Sequence, residues 1–298
     1  MLRQFKGIKW INNIPNFILY DFENDIIEYK RVEGIINIKK EGIKKCNGYY
    51  DLVSHEYVTC PNFNSHESDN VKQCSTCINI TGFNECLRCD GKYCRTSNSI
   101  AKKFCNQKHV VYIALFGNSK FKVGTSADYR KYSRILEQGA IASMFIAITP
   151  DGKQARFIEH AISKLGYVLQ VNSLFKLKNL VIDMDRNDIN NILKKHYNNI
   201  MNDIPDTLKK FFVIPEINYC ERINKINRCI FLSNEMQLSF LDNKIENKYD
   251  INYLLHYDSI CGKIANVIGT FLVIKLNSNF VIYDTKELEG CIVKIKLD

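Results

Sequence analysis

The residues with the clearest chemistry in this 298-residue chain are its cysteines, of which there are twelve. Two pairs, Cys74 with Cys77 and Cys86 with Cys89, have the spacing that lets two thiolates from one tight turn bind the same tetrahedral metal ion. These pairs belong to a cluster of eight thiols: Cys46, Cys60, Cys74, Cys77, Cys86, Cys89, Cys94 and Cys105. The cluster predicts bound zinc.

Eight thiolates are enough for two four-cysteine sites, and closed all-sulfur sites of this kind are structural. The eight residues between the two pairs are fewer than the roughly 15–20 of a usual zinc-ribbon loop. We therefore favour one site from Cys46, Cys60, Cys74 and Cys77, and a second from Cys86, Cys89, Cys94 and Cys105. Two alternatives stay open: both pairs could share one site, or His109 could replace a cysteine of the second.

A redox dithiol is the competing interpretation, and the number of further cysteines disfavours it. Residues 56–106 are polar and loop-like, and such a segment needs a metal ion to fold. The remaining cysteines are isolated and are predicted to be small core residues: Cys220, Cys229, Cys261 and Cys291.

Positive charge is concentrated after the cysteine pairs. The chain has a formal net charge of +9, and residues 101–135 hold eight basic residues against one acid, Asp128. Such an excess favours binding of a polyanion such as DNA or RNA, although a solvated lysine-rich face has the same composition. The predicted nucleic-acid contacts are Lys102, Lys103, Lys108 and Lys131, with the arginines considered below.

From His109 onwards the pattern predicts alternating strands and helices. An apolar run at 110–116 and a short strand at 121–124 form a hairpin, and a helix capped by Thr125 or Ser126 follows to about Gln138. A strand at 144–148, a helix at 154–165 and a helix at about 187–201 complete the order β-β-α-β-α-α. In the second helix Glu159 lies at the border of the apolar stripe, where it would bind a metal ion or pair with Arg156.

The motifs in this stretch resemble two families. The hairpin with Tyr112 and Lys122-Val-Gly124, followed by a helical Glu159, resembles the GIY-YIG nuclease superfamily over about residues 108–200. Most of the chain resembles an uncharacterised domain-of-unknown-function family, through the cysteine cluster followed by these strings: His109 to Tyr112, Phe116-Gly117, Lys122-Val-Gly-Thr125 and Glu137-Gln-Gly-Ala140.

The nuclease resemblance implies one-metal phosphodiester hydrolysis. Glu159 would hold Mg²⁺ or Mn²⁺, Tyr112 or Lys122 would take a proton from water, and Arg134 or Arg130 would bind the charged phosphorane. The chain departs from that family's pattern at Val110, which replaces a glycine, and at Lys122, which replaces a tyrosine. Both arginines are predicted opposite an apolar helix stripe of Tyr129, Tyr132, Ile135 and Leu136.

The sequence thus predicts an α+β protein with a zinc-ribbon-like cysteine module and a small GIY-YIG-like ββαβαα core between β-rich ends. The predicted segments are 1–45, 46–107, 108–201, 202–219 and 220–298, and we expect the two ends to pair in one sheet or barrel. No apolar run has the length of a signal peptide or of a membrane span, so we expect a cytoplasmic protein without membrane contact.

Three functions are compatible with these features. The first is a zinc-containing endonuclease, and the second is a non-catalytic binder of DNA or RNA with a degenerate nuclease core. The third is a protein-interaction module in which zinc serves only folding. Salt-dependent binding would separate the third function from the others, and metal-dependent cleavage would separate the first from the second.

Overall fold

The computed structural model describes residues 1–52, 54–63, 72–117, 120–166, 184–220, 258–276 and 279–298. These residues form a mixed α/β protein with substantial strand content, in agreement with the predicted α+β class. They divide into two compact units. The first unit contains residues 1–81, 136–138 and 228–298, and the second contains residues 82–135 and 139–227. The five predicted segments are a finer division and stay predictions.

The described part of the chain contains these strands: β1 (Leu2–Ile11), β2 (Ile14–Asp21), β3 (Ile26–Arg31), β4 (Ile35–Lys40), β5 (Tyr49–Asp51), β6 (Glu56–Val58), β7 (His109–Phe116), β8 (Lys120–Ala127), β9 (Ala142–Thr149), β10 (Ile217–Tyr219), β11 (Ser259–Ile268), β12 (Phe271–Leu276), β13 (Asn279–Asp284) and β14 (Ile292–Leu297).

The helices in the same residues are α1 (Ser75–Thr81), α2 (Ser99–Cys105), α3 (Lys131–Gln138), α4 (Gly152–Lys164), α5 (Arg186–Asp203) and α6 (Asp206–Lys209). Short 3-10 helices cover Phe83–Arg88, Asp128–Arg130 and Thr285–Leu288. None of the described helices combines the length and the apolar character needed to cross a bilayer.

An antiparallel sheet of eight strands forms the first unit, in the order β13-β12-β11-β4-β14-β1-β2-β3. In β4 the side chains of Ile36 and Ile38 are buried while their neighbours in sequence are exposed, as the period-2 alternation of a strand requires. Since β14 pairs with both β1 and β4, the two ends of the chain lie in one sheet, and the predicted pairing of the ends is confirmed.

Two details of this sheet differ from the prediction. Gly269, with φ of 62°, turns the chain between β11 and β12, and this turn was not predicted. Strand β3 was not predicted; its side chains are mostly exposed, so its apolar pattern is weak, and it is held by its backbone pairing with β2.

The second unit contains a four-stranded antiparallel sheet in the order β10-β9-β7-β8. All side chains of β7 are buried, as the apolar run predicted. Helix α5 packs on one face, where His196 stacks on Phe121 with ring centroids 3.7 Å apart. Helix α4 packs beside β7, β8 and β9. The predicted order β-β-α-β-α-α is confirmed for the described residues.

The predicted start of the helix that follows the β7–β8 hairpin is wrong. Thr125 and Ser126 do not cap a helix, because β8 stays paired with β7 as far as Ala127, opposite His109. The chain then forms the 3-10 turn at Asp128–Arg130 before α3 begins at Lys131. The predicted apolar stripe is also wrong for Tyr129 and Tyr132, whose side chains are 49 % and 54 % exposed, whereas Ile135 and Leu136 are buried.

Residues 56–106 were expected to be loop-like, but they contain α1, the 3-10 helix Phe83–Arg88 and α2. Each of these helices is only one or two turns long. Helices of this length have little stability of their own and depend on tertiary contacts, which explains why their short polar sequences gave no periodic signal.

Candidate functional site

Four of the predicted ligands come together in the first unit. The sulfur atoms of Cys46, Cys60, Cys74 and Cys77 all lie within 4.8 Å of one another, and this group could hold a metal ion. Three of the four residues are buried, and Cys74 is half-buried. These four thiols are the residues that the sequence favoured for the first of its two sites.

Local structure places each of these four thiols. Cys46 and Cys60 flank the β5–β6 hairpin, and Cys74 immediately precedes α1, whose first turn contains Cys77. The Cys74 amide donates to the Cys46 sulfur at 3.1 Å, and the Cys60 and Cys74 sulfur atoms are 3.8 Å apart. Two thiols from a hairpin and two from a helix start thus reach one point.

Strand β1 fixes the loop that carries Cys46. The Gln4 side-chain amide donates to the carbonyl oxygens of Lys45 and Cys46 at 3.1 Å and 3.0 Å. The Asn47 side-chain amide donates to the carbonyl oxygen of Lys6 at 2.8 Å. These hydrogen bonds to β1 fix the position of the Cys46 loop relative to the sheet.

A buried lysine, not predicted from the sequence, lies beside the four thiols. The β1–β2 register shifts between Phe5 and Gly7, so Lys6 is the extra residue of a β-bulge, a feature that redirects a side chain. Its ammonium donates to the Asn47 carbonyl oxygen at 2.9 Å. Burial lowers the pKa of Lys6 to about 8, and the opposing influence comes from the charges of Cys46, Cys60 and Cys77.

The thiols themselves differ in acidity. Burial raises the pKa values of Cys46 and Cys77. Burial also opposes ionisation of Cys74, but hydrogen bonds from the Cys77 backbone and the neighbouring thiols lower its pKa to about 7. Buried thiolates require compensating positive charge, and Lys6 together with a metal cation would supply it.

The other four predicted ligands lie in the second unit and are less tightly grouped. Among the described residues only the first group has all its donor atoms within 4.8 Å of one another. Cys86, Cys89 and Cys105 are half-buried, and Cys94 is exposed. The four are still close enough for the charges of Cys89, Cys105 and Cys94 to raise the pKa of Cys86, although burial is the larger cause.

A cavity of about 230 Å³ lies in the second unit, at the end of the sheet where β7 begins and β8 ends. Three thiols line it, those of Cys86, Cys89 and Cys105. Its other polar lining is basic or neutral: His109, Thr125, Ser126, Arg130, Arg134 and Arg156. The described lining contains no carboxylate, so its three arginines would stabilise negative charge in the cavity, whether of a bound phosphate or of ionised thiols.

Three of the predicted catalytic residues interact near this cavity. The Arg134 guanidinium donates to the Tyr112 hydroxyl, and the charge of Glu159 also acts on that hydroxyl. Burial, followed by the charge of Glu159, raises the pKa of Tyr112, and Arg134 opposes the shift. The Glu159 carboxylate accepts a hydrogen bond from the Arg156 guanidinium at 2.7 Å, and this contact is the helix ion pair predicted from the sequence. Arg156 was predicted only as this partner and not as part of the cavity wall.

The remaining predicted site residues are lysines of the second unit. Lys122 is half-buried on β8, two residues before Gly124. Alternate residues of a strand face the same side of a sheet, and Gly124 pairs with Tyr112, so Lys122 and Tyr112 lie on the same side. Lys102 and Lys103 are exposed at the end of α2. Lys108 and Lys131 share one partner, Asp128, at 3.7 Å and 2.8 Å. The structure thus separates the four predicted lysines into a pair at the end of α2 and a pair bonded to Asp128.

The prediction that the isolated cysteines are small core residues is confirmed for some of them and wrong for another. Cys220 and Cys291 are buried, as predicted for small core residues. Cys261 is exposed on β11, so that prediction is wrong: it lies at an outward-facing position of a strand whose burial alternates. Cys229 lies outside the described residues.

No curated protein and no solved structure matches the chain significantly. The resemblance to GIY-YIG nucleases is therefore not confirmed and stays a prediction. One family does match, over residues 36–293, and it is described as a protein of unknown function (DUF2797). This match covers the cysteine cluster and the whole second unit, well over half of the chain, so the chain belongs to the DUF2797 family, as its motifs predicted.

Proposed function

We propose that this is a zinc-containing protein that acts on nucleic acid, and that its second unit is a metal-dependent phosphodiesterase. The observation that carries the proposal is the convergence of Tyr112, Arg134 and Glu159 beside a cavity lined by arginines. These residues come from β7, α3 and α4, three elements far apart in sequence.

Zinc is the metal that best fits the thiols of the first unit. Four thiolates at a Zn–S distance of about 2.3 Å form a tetrahedron with an edge of about 3.8 Å. The 3.8 Å between the Cys60 and Cys74 sulfur atoms agrees with that edge. Since all four positions are protein thiols, this ion would stabilise the fold and would take no part in a reaction.

In the proposed reaction the arginines bind the phosphodiester. Arg134 and Arg130 line the cavity and offer planar donors that match phosphate oxygens in pairs. Glu159 would hold Mg²⁺ or Mn²⁺, which supplies Lewis-acid stabilisation of the phosphate charge. Arg156 would exchange its bond with Glu159 for one with the substrate.

Two groups on the same side of the sheet, Tyr112 and Lys122, are the candidates for the general base. Tyr112 has a raised pKa, so its hydroxyl keeps its proton at neutral pH and positions Arg134 rather than acting as a base. By elimination we assign the general base to Lys122, whose side chain must first lose its own proton before it can take one from water. A Lys122→Met protein that cleaves at the wild-type rate across the pH range would contradict this assignment.

Cleavage of labelled single- and double-stranded DNA and RNA tests the proposal. We expect cleavage in Mg²⁺ or Mn²⁺ that EDTA abolishes and that Glu159→Gln lowers by about 100-fold or more. Glu216→Gln is the matched control, because Glu216 is an exposed carboxylate of the same unit. Equal cleavage by the wild type and Glu159→Gln would contradict the proposal.

The Arg156–Glu159 ion pair favours a second candidate, a non-catalytic binder of DNA or RNA. A carboxylate already bonded at 2.7 Å to an arginine is a poor metal ligand, while the remaining arginines would still bind phosphate. This candidate predicts binding that weakens steeply with salt and no cleavage by the wild type in either metal ion. Arg134→Ala should then weaken binding and reduce the slope of log K against log salt concentration by about one.

A further inference from the structure

We infer that the cavity of the second unit is a second metal site, with Cys86, Cys89, Cys105 and His109 as its ligands. Three thiols and one imidazole form a common zinc ligand set, and all four residues line the same cavity. The inference is independent of the proposed phosphodiesterase, because it concerns only which residues hold the ion.

The two cysteines of the pair are arranged by a tight turn. Cys86 lies in the 3-10 helix Phe83–Arg88, and the Cys89 amide donates to the Cys86 carbonyl oxygen at 3.2 Å. This turn carries both side chains to the same cavity wall, as a Cys-x-x-Cys metal knuckle requires. Cys105 is the last residue of α2 and supplies the third thiol.

His109 has the tautomer of a metal ligand. Its Nδ1 lies 2.7 Å from the Gln107 carbonyl oxygen, and a carbonyl only accepts, so Nδ1 carries the proton. The lone pair of Nε2 is then available for a cation. A backbone carbonyl bonded to the other ring nitrogen is the usual support of a zinc-bound histidine. The side chain is only 5 % exposed, so this nitrogen faces the protein interior.

Gly152 brings the His109 and Cys105 donors near one point. A Cβ at position 152 would lie 3.0 Å from His109 Nε2 and 3.3 Å from the Cys105 sulfur. Glycine leaves this space open at the first turn of α4. The next residue, Lys153, donates its backbone N–H to the Cys105 sulfur, a bond that also stabilises a metal-bound thiolate.

Cys94, the ligand preferred from the sequence, has a different position. It is exposed, its thiol donates to the Thr96 carbonyl oxygen at 3.8 Å, and it does not line the cavity. The donor atoms of these four ligands lie farther apart than the four sulfur atoms of the first unit, so the side chains must move closer together to bind one ion. Zn²⁺ with three thiolates and a neutral imidazole has a charge of −1, which Arg130, Arg134 and Arg156 on the same walls would offset.

Metal content of the purified full-length chain, measured by plasma mass spectrometry, tests the inference. We expect two zinc ions per chain for the wild type, one for His109→Ala and two for Cys94→Ser. His109→Cys should restore the second ion, which separates loss of a ligand from loss of packing. Cobalt substitution adds an independent readout, because replacing the nitrogen ligand with sulfur in His109→Cys should move the d–d bands to lower energy.

Circular dichroism of each variant checks that the unit remains folded. A full second ion in His109→Ala together with its loss in Cys94→Ser would overturn the inference in favour of four thiols. The inference would also be overturned if the wild type held a single zinc ion and Cys46→Ser lost it, because the cavity would then hold no ion. Neither outcome bears on the phosphodiesterase, which the Glu159→Gln cleavage assay tests separately.

Discussion

Tyr112 and Gly124 face each other across the β7–β8 ladder, and a Cβ at position 124 would lie 2.5 Å from the Tyr112 hydroxyl oxygen. The tyrosine ring therefore occupies the space above the glycine. This close approach places the hydroxyl where Arg134 donates to it, so the glycine of the Lys-Val-Gly motif has a steric role.

Gly124→Ala should displace the Tyr112 ring and break its bond with Arg134. Forcing a methyl group into a packed core costs about 1–3 kcal/mol, and we expect the free energy of unfolding in urea to fall by that amount. Gly42→Ala is the control, since its Cβ would meet only the Ile292 side chain at 3.5 Å, an ordinary contact. Equal stability of the two variants would contradict the steric role.

Cys60→Ser should remove the metal ion of the first unit. Structural metal binding contributes to folding free energy directly, so we expect one zinc fewer per chain and a lower melting temperature. The matched control is Cys261→Ser, which changes an exposed thiol outside the cluster. Loss of zinc from the control, or full zinc in Cys60→Ser, would contradict the assignment of this ligand.

Lys6→Met should weaken metal binding in the first unit without removing a ligand. A zinc ion with four thiolates has a charge of −2, and the Lys6 ammonium offsets part of it at short range. We expect zinc affinity, measured by competition with a chromophoric chelator, to fall by about tenfold or more. Lys30→Met is the control, because that lysine is 47 % exposed on β3. An unchanged affinity would mean that the ammonium serves packing only.

Asp128→Asn should strengthen nucleic-acid binding, because the carboxylate that pairs with Lys108 and Lys131 is removed. Each lysine that gains a phosphate contact makes the slope of log K against log salt concentration steeper by about one. Asp206→Asn is a matched control: Asp206 forms the same i,i+3 lysine pair, at 2.7 Å, away from the cavity. Weaker binding by Asp128→Asn would show that the two lysines do not contact phosphate.

The same carboxylate gives a pH-dependent contribution to stability. The side-chain hydrogen bond from Lys131 is the main cause that lowers the pKa of Asp128 below its value of about 3.9 in an unfolded chain. Its contribution is therefore fully present above about pH 4 and is lost as the pH falls through the lower, folded pKa. Asp128→Asn should show a smaller loss of stability between pH 5 and pH 2 than the wild type.

The sequence predicted those parts of the structure that depend on local pattern. The apolar run 110–116 became β7, and the helix predicted at about 187–201 became α5. The two Cys-x-x-Cys pairs were separated between two groups, as their short spacing suggested. Each of these signals is carried by neighbours in the chain, so pattern alone is sufficient.

Apart from the pairing of the two chain ends, features that depend on distant pairing were not predicted. Ser126 has a helix-capping side chain, yet backbone bonds to β7 keep it in a strand. The direction of Lys6 follows from a bulge whose position is set by the partner strand β2. The cavity walls combine Arg156 with Thr125 and Cys86, which meet only after the second unit has folded.

The position of β14 between β4 and β1 has a consequence for synthesis on the ribosome. Residues 292–297 must leave the exit tunnel before the middle of the first sheet can close, whereas every residue of the second unit emerges earlier. A nascent chain would therefore contain a complete arginine-lined unit while the four clustered thiols of the first unit still lacked their finished sheet. Such distant strand pairing is intrinsically slow, so metal loading of that centre would be a late event in maturation.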